Sequence, residues 1–257
     1  MKTSSVANQK GGVGKTAISC HQAFSIAEKG HNILFIDNDP QGNSSDTLLK
    51  SVLSAKASFN TLELYADIDL SDFKPTAQIT VVSADRTLSK VARYETDAPF
   101  IFRENLQKIS KHFDYCIIDN PPTLGLGLVA ALVSSDYVFS PIELEDFSVS
   151  GLKDLMQTIE GVRQRHNPSL EYLGIIPNRL NSRDARQKEK FVKLIQAFPD
   201  KIIKAPIVQR GSISEALSRG LPVWDIQKEK SAAKKAADEL RIALDFLENK
   251  MNVCEKV

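Results

Sequence analysis

Short apolar runs alternate with longer amphipathic stretches along most of this chain. Thr3 to Asn8 reads as a strand, and so do His31 to Asp37, Ile79 to Ser83, Tyr115 to Asp119, Tyr137 to Ser140, Tyr172 to Pro177 and Ile202 to Ile207. Their apolar residues follow one another rather than alternating with polar ones, the pattern of strands covered on both faces. Between most of them the period changes to that of a helix. Thr16 to Lys29 carries Ile18, Phe24, Ile26 and Ala27 before a stop at Gly30, and Ser231 to Lys250 aligns Ala233, Ala236, Ala237, Leu240, Ala243, Leu244 and Leu247 on one side. The alternation predicts an α/β fold: a mostly parallel, twisted sheet with helices on both faces, and ligand chemistry at the carboxyl ends of the strands.

Composition narrows this picture a little. At 257 residues and 42% hydrophobic content the chain can form one α/β domain, and a single domain over residues 1–257 is expected. Cys20, Cys116 and Cys254 lack the spacing of a zinc site or a disulfide framework, which fits a reducing cytoplasm. The polar start and the absence of a long apolar run argue against secretion and membrane spanning.

Chemistry enters at Asn8-Gln9-Lys10-Gly11-Gly12-Val13-Gly14-Lys15-Thr16, between the first strand and the first helix. The common phosphate-loop pattern needs glycine where this chain has Gln9; K-G-G-x-G-K-T matches instead. Gly11, Gly12 and Gly14 can let backbone N–H groups close around phosphate oxygens, and the helix start adds its partial positive charge. Lys15 is placed to reach the β- and γ-phosphates, and Thr16 to take a Mg²⁺ position. The fold class sharpens to a single-domain P-loop NTPase. Gln41 to Thr76, the least regular stretch, reads as helices and loops over the nucleotide side.

Two further strands end in carboxylates: Ile36-Asp37-Asn38-Asp39-Pro40-Gln41-Gly42-Asn43 and Ile117-Ile118-Asp119-Asn120-Pro121-Pro122. Phosphoryl transfer needs charge neutralisation by Mg²⁺ and a group that orients the attacking water. Asp119 is the Walker B candidate, Asp39 the candidate for the water, and Asp37 the support for the magnesium or the loop.

With these motifs in order, the chain resembles the ParA/Soj branch of the ParA/MinD ATPases. The likeness continues through Pro206-Ile207-Val208-Gln209-Arg210-Gly211-Ser212-Ile213-Ser214-Glu215-Ala216-Leu217 and Gly220-Leu221-Pro222-Val223-Trp224. The resemblance implies an ATP-dependent, Mg²⁺-requiring ATPase of weak basal activity. Two subunits would close face to face around two ATP molecules, with Lys10 of each reaching the other's phosphates. Charge supplied in trans in this way is worth roughly 10³ to 10⁵ in rate where an arginine supplies it. The resemblance also places an adenine contact at Asn178, with Pro206 to Val208 on the other side of the base, and extends the nucleotide site to Ala17. Asn120 stands where many relatives have Cys, and Ala17 where a second Thr is common.

Charge distribution bears on partners. Residues 160–235 hold 16 Lys and Arg against 8 Asp and Glu, while the remainder is net −7. The resemblance makes this half a surface for nonspecific double-stranded DNA. Its candidate contacts are Lys204, Arg210, Lys228, Lys230, Lys234 and Lys235, then Arg183 and Arg186. Nonspecific contacts of this kind are weak and fall steeply with salt. The resemblance further implies a ParB-like or centromere-binding adaptor, plasmid or chromosome cargo, and a cytoplasmic, nucleoid-associated protein. The start of the motif at Lys10 leaves no room for the N-terminal helix-turn-helix region of longer relatives. Residues 249–257 lack the apolar moment of a membrane-targeting tail, which weighs against a MinD-like reading. A metabolic or cluster-assembly enzyme on the same scaffold is the other alternative; Cys116 has no cysteine nearby to support a cluster.

Overall fold

The computed structural model of the chain describes residues 1–145, 148–181 and 184–256. The candidate Arg183 lies outside the described residues. In chain order the elements are β1 (Lys2–Val6), α1 (Lys15–Glu28), β2 (Ile33–Asp37), α2 (Asn43–Leu48), β3 (Ser54–Lys56), β4 (Ile79–Val82), α3 (Ala98–Ile109), β5 (Tyr115–Asp119), α4 (Leu126–Ser134), β6 (Tyr137–Glu143), α5 (Val149–Arg165), β7 (Glu171–Asn178), α6 (Ala185–Ala197), α7 (Gly211–Ser218) and α8 (Ser231–Lys250). The strands form one parallel sheet in the order β3-β4-β2-β5-β1-β6-β7.

The two-sided apolar runs do what their pattern requires. Ile33, Phe35, Tyr115 and Ile117 share a core with Phe24 of α1, Ala216 of α7 and Leu240 and Leu244 of α8. Their neighbours Leu34, Ile36, Cys116 and Ile118 face the other way, onto Phe102 and Leu106 of α3 and Ala130 of α4. Leu155 of α5 and Leu194 of α6 continue a core over Val138, Ile142 and Ile175. Burying one such Leu, Ile or Phe contributes about 1.5–3 kcal/mol, so each strand is held from both sides.

Pairing also sets the register of the strand ends. Val6 and Asp37 both lie opposite Asp119, so β1, β2 and β5 deliver the loop and both carboxylates to one edge of the sheet.

Three expectations change. The stretch expected to be helices and loops contains an edge strand, β3, whose Ser54, Ala55 and Lys56 pair with β4; two half-buried residues and an exposed lysine give no apolar run to read. Ile202 to Ile207 is not a strand: it meets β7 through the isolated bridge Ile175–Ile202, and the next residue, Val208, bridges Leu180. Pro206 has no N–H to give a ladder. Gly174, at φ 128, lets the Lys201 carbonyl approach to where a Cβ would be 2.5 Å away, and β7 is bulged beside it. Finally, β6 runs past Ser140 to Glu143. Pairing with β1 ends at Phe139, so Pro141 sits where the strand has a neighbour on one side only.

Candidate nucleotide and magnesium site

Asn8 and Gln9 tether the loop after β1. Asn8 Nδ2 donates to the Pro141 carbonyl at 2.6 Å, its Oδ1 accepts from Lys10 N at 2.9 Å, and Gln9 Nε2 donates to the Gly151 carbonyl at 2.8 Å. Gly11 and Gly12 are exposed, with open space where a Cβ would stand, whereas Val13 is buried. The chain turns into α1 at Gly14 with φ 92, a left-handed value, and a Cβ there would lie 2.1 Å from Asn178 Nδ2. Glycine is therefore required at position 14 by conformation and by space.

The lysine and hydroxyl that follow are already organised. Lys15 is buried, and its Nζ donates to the Lys10 carbonyl at 2.9 Å. Burial lowers its pKa, opposed by the charges of Asp119 and Asp39, which places both carboxylates near the ammonium. Thr16 Oγ1 donates to Asp119 Oδ2 at 2.7 Å. Asp119 Oδ1 is buried without a hydrogen-bond partner among the described residues. Burial and then the neighbouring Asp37 charge push the Asp119 carboxyl up to about 7. A buried carboxylate oxygen left unpaired beside a threonine hydroxyl is a donor set suited to a hard cation.

Asp37 is more fully engaged. It accepts from Ser45 N at 2.8 Å, Ser45 Oγ at 2.7 Å and Asp39 N at 3.1 Å. Burial raises its pKa, and these hydrogen bonds oppose the rise. Asp39 is half-buried and caps its own turn, accepting from Gln41 N at 3.0 Å. Among the described residues no three His, Cys, Asp or Glu are grouped to hold a metal by themselves.

Beside the loop, a cleft of about 180 Å³ is lined by Gly12, Gly14, Ala17, Asn178, Val208 and Gln209, among others. Asn178 is buried and its Nδ2 donates to the Val13 carbonyl at 2.7 Å, so one end of its amide holds the phosphate loop. Pro206 is exposed and is not among the residues lining this cleft; the turn brings Val208 in instead. Glu239 of α8 fixes that turn, accepting from Val208 N at 2.9 Å and from Arg210. Arg210, ion-paired with Glu239, lines the same cleft, which sets it apart from the other basic candidates. Lys230 pairs with Glu215 at 2.7 Å, Arg186 approaches Asp184, and Lys204, Lys228, Lys234 and Lys235 are exposed.

Several participants carry no motif. Arg179, a non-glycine residue at φ 54, donates to the Gly12 carbonyl at 2.9 Å and lies 3.4 Å from Glu143 Oε2. Ser45, Glu143 and Glu239 likewise become visible only when separate segments meet. Asp37 followed eight residues later by a hydroxyl was the one spacing available to find Ser45.

Comparisons with known proteins identify the family. A family model described as an AAA domain matches residues 1–172. The chain is 38% identical over 266 residues to Protein IncC of Escherichia coli, covering 99% of this chain and 71% of the relative. It is 32% identical to the Chromosome partitioning protein ParA of Caulobacter vibrioides, over 87% of this chain and 86% of that protein. A Cyanothece McdA–ATP complex superposes with a TM-score of 0.83 at 22% identity, covering 100% of this chain and 98% of that one. With the phosphate loop at the end of β1, the carboxylates at the ends of β2 and β5, and these relatives matched over most of their lengths, the chain belongs to the ParA family of partition ATPases.

Proposed function

We propose that this chain hydrolyses ATP to drive DNA partition: an ATP-bound sandwich dimer grips nonspecific DNA, and hydrolysis stimulated by an adaptor protein releases it. The carrying observation is the grouping of Lys15, Thr16, Asp119 and Asp39, with the ammonium seated on the Lys10 carbonyl. Lys15 and the loop N–H groups would bind the phosphates, with Lys10 of a second subunit adding charge. Thr16 and Asp119 would hold Mg²⁺, which when bound neutralises charge developing on the phosphate oxygens. Two protein ligands are few, so nucleotide oxygens and water would complete the shell. Asp37 holds the turn through Ser45, and Asp39 orients water.

The cleft beside the loop suits adenine. The N–H groups of Ile207, Val208 and Gln209 are taken by Pro177 O, Glu239 and Leu180 O. The Ile207 carbonyl accepts from Leu180 N, so the carbonyls of Val208 and Gln209 would face the base, where they match an exocyclic amino group better than the oxygen of guanine.

The basic half supports DNA as the surface gripped, through Lys204, Lys228, Lys234 and Lys235 first, and a ParB-like or centromere-binding protein as the adaptor. A cytoplasmic, nucleoid-associated location and a single functional unit over residues 1–257 follow from the same reading. No helix among the described residues is long and apolar enough to cross a membrane, and α8 buries its apolar side against the core. The packing of α8 favours DNA over lipid.

The test is ATP turnover with Mg²⁺, with and without duplex DNA. A slow basal rate in the wild type that disappears in Lys15→Ala supports the proposal. Turnover that appears only with a small carboxylate substrate points to a ligase and sinks it.

A further inference from the structure

Asn38 separates the two carboxylates of the β2 turn, and every polar atom of its buried amide is used. Nδ2 donates to Asn120 Oδ1 and to the Gly127 carbonyl, each at 3.0 Å, and Oδ1 accepts from the Tyr65 hydroxyl at 2.8 Å. Asn120, next to Asp119, passes the connection on by donating to the Val6 carbonyl at 2.9 Å. The backbone repeats the tie, since Asn38 N donates to the Asp119 carbonyl at 2.8 Å. The ends of β1, β2 and β5 and the first turn of α4 are therefore joined in one closed network.

Tyr65 anchors this network from outside the nucleotide site. Its ring is buried against Phe102 of α3, with centroids 4.7 Å apart. Asn105 of α3 donates to the Leu64 and Ala66 carbonyls at 3.0 and 2.8 Å and so fixes the turn that carries it. Helix α3 thus holds the hydroxyl, the hydroxyl holds Asn38, and Asn38 is covalently followed by Asp39, whose carboxylate caps the same turn through Gln41 N.

We propose that Tyr65 is a positioning residue for nucleotide hydrolysis: through Asn38 it sets Asp39 against the phosphate loop. This rests on the ATPase reading above. Removing the hydroxyl leaves Asn38 Oδ1 buried without a donor, and the amide must turn or shift to recover one. The phosphate loop makes none of these bonds, which reach its strand only at Val6, so nucleotide binding is spared while the turn carrying Asp39 loosens.

The experiment compares basal ATP turnover and ATP affinity in wild type, Tyr65→Phe, Asn38→Ala and the double variant. Tyr65→Phe keeps the ring and is expected to lower kcat about tenfold with ATP Kd changed by less than about twofold. In the Asn38→Ala background the same substitution should have no further effect. Asn120→Ala, which removes another partner of Asn38, should show the same split between kcat and Kd. If Tyr65→Phe lowers Tm but keeps kcat, or if its effect persists in full beside Asn38→Ala, the hydroxyl is only structural and the proposal is overturned. A wild type that hydrolyses no ATP overturns the functional reading and this inference together.

Discussion

Lys15 Nζ donates to the carbonyl of Lys10 at 2.9 Å, so the backbone of one signature lysine positions the ammonium of the other. The two roles proposed for them are thereby separable: Lys15 would act within its own subunit, and the Lys10 side chain would act across an interface. Asp119 and Asp39 near that ammonium, together with Thr16 on Asp119, complete a site that depends on three strand ends meeting at one edge.

Asp119 should trade stability for function. Two buried carboxylates face each other across the β2–β5 register, and the Asp119 carboxyl is pushed up to about 7 from 3.8. Asp119→Asn keeps an acceptor for Thr16 and removes the repulsion. It is expected to stabilise the nucleotide-free protein at pH 8 by about 4 kcal/mol, the linkage equivalent of that displacement, while Mg²⁺-dependent turnover falls at least about a hundredfold. Denaturant titration and a turnover assay check both halves.

His21 makes stability depend on pH. It is fully buried, its Nδ1 lies 2.6 Å from the Ala17 carbonyl and its Nε2 accepts from Val223 N at 3.0 Å, which ties α1 to the segment after α7. Burial lowers its pKa from 6.5 to about 4. The folded value lies below the unfolded one, so its contribution is complete above pH 6.5 and is lost as pH falls from there toward 4. Wild type should lose about 2 kcal/mol more than His21→Gln between pH 7.5 and pH 5, read by denaturant titration.

Much of this was legible in the sequence. Consecutive apolar residues marked the central strands, and Tyr115 to Asp119 and Ser231 to Lys250 coincide with β5 and α8 to the residue. The loop was legible because its glycines, lysines and threonine are contiguous. Partners joined by the fold were not: Asn178 against Val13, Arg179 against Gly12 and Glu239 against Val208 lie between 31 and 167 residues apart. The edge strand β3 escaped because an edge is half-solvated and carries no apolar run.

Asn178 should report on base and loop together. Asn178→Ala releases the Val13 carbonyl and removes one polar group from the cleft. ATP affinity is expected to fall about tenfold, with the preference for ATP over GTP reduced, as measured by competition binding. Gly14→Ala should be worse, because its Cβ would displace Asn178 and its φ is left-handed.

The basic residues should divide into two groups. Lys234→Glu with Lys235→Glu is expected to weaken ATP-dependent DNA binding and to lower the slope of log affinity against log salt by about one for each phosphate no longer neutralised, leaving ATP affinity intact. Arg210→Ala breaks the pair with Glu239 and should weaken ATP binding instead. Salt titrations of DNA binding, set beside ATP titrations, distinguish the two.

In the proposed mechanism, nucleotide state becomes assembly state through Lys10. The direct measurement is sedimentation of wild type and Lys10→Ala with Mg²⁺ and a non-hydrolysable ATP analogue, each shown by titration to bind it. The wild type is expected to form a dimer that reverts to monomer in ADP, and the Lys10→Ala chain to bind the analogue yet stay monomeric. A Lys10→Ala chain that dimerises as the wild type does would contradict that mechanism.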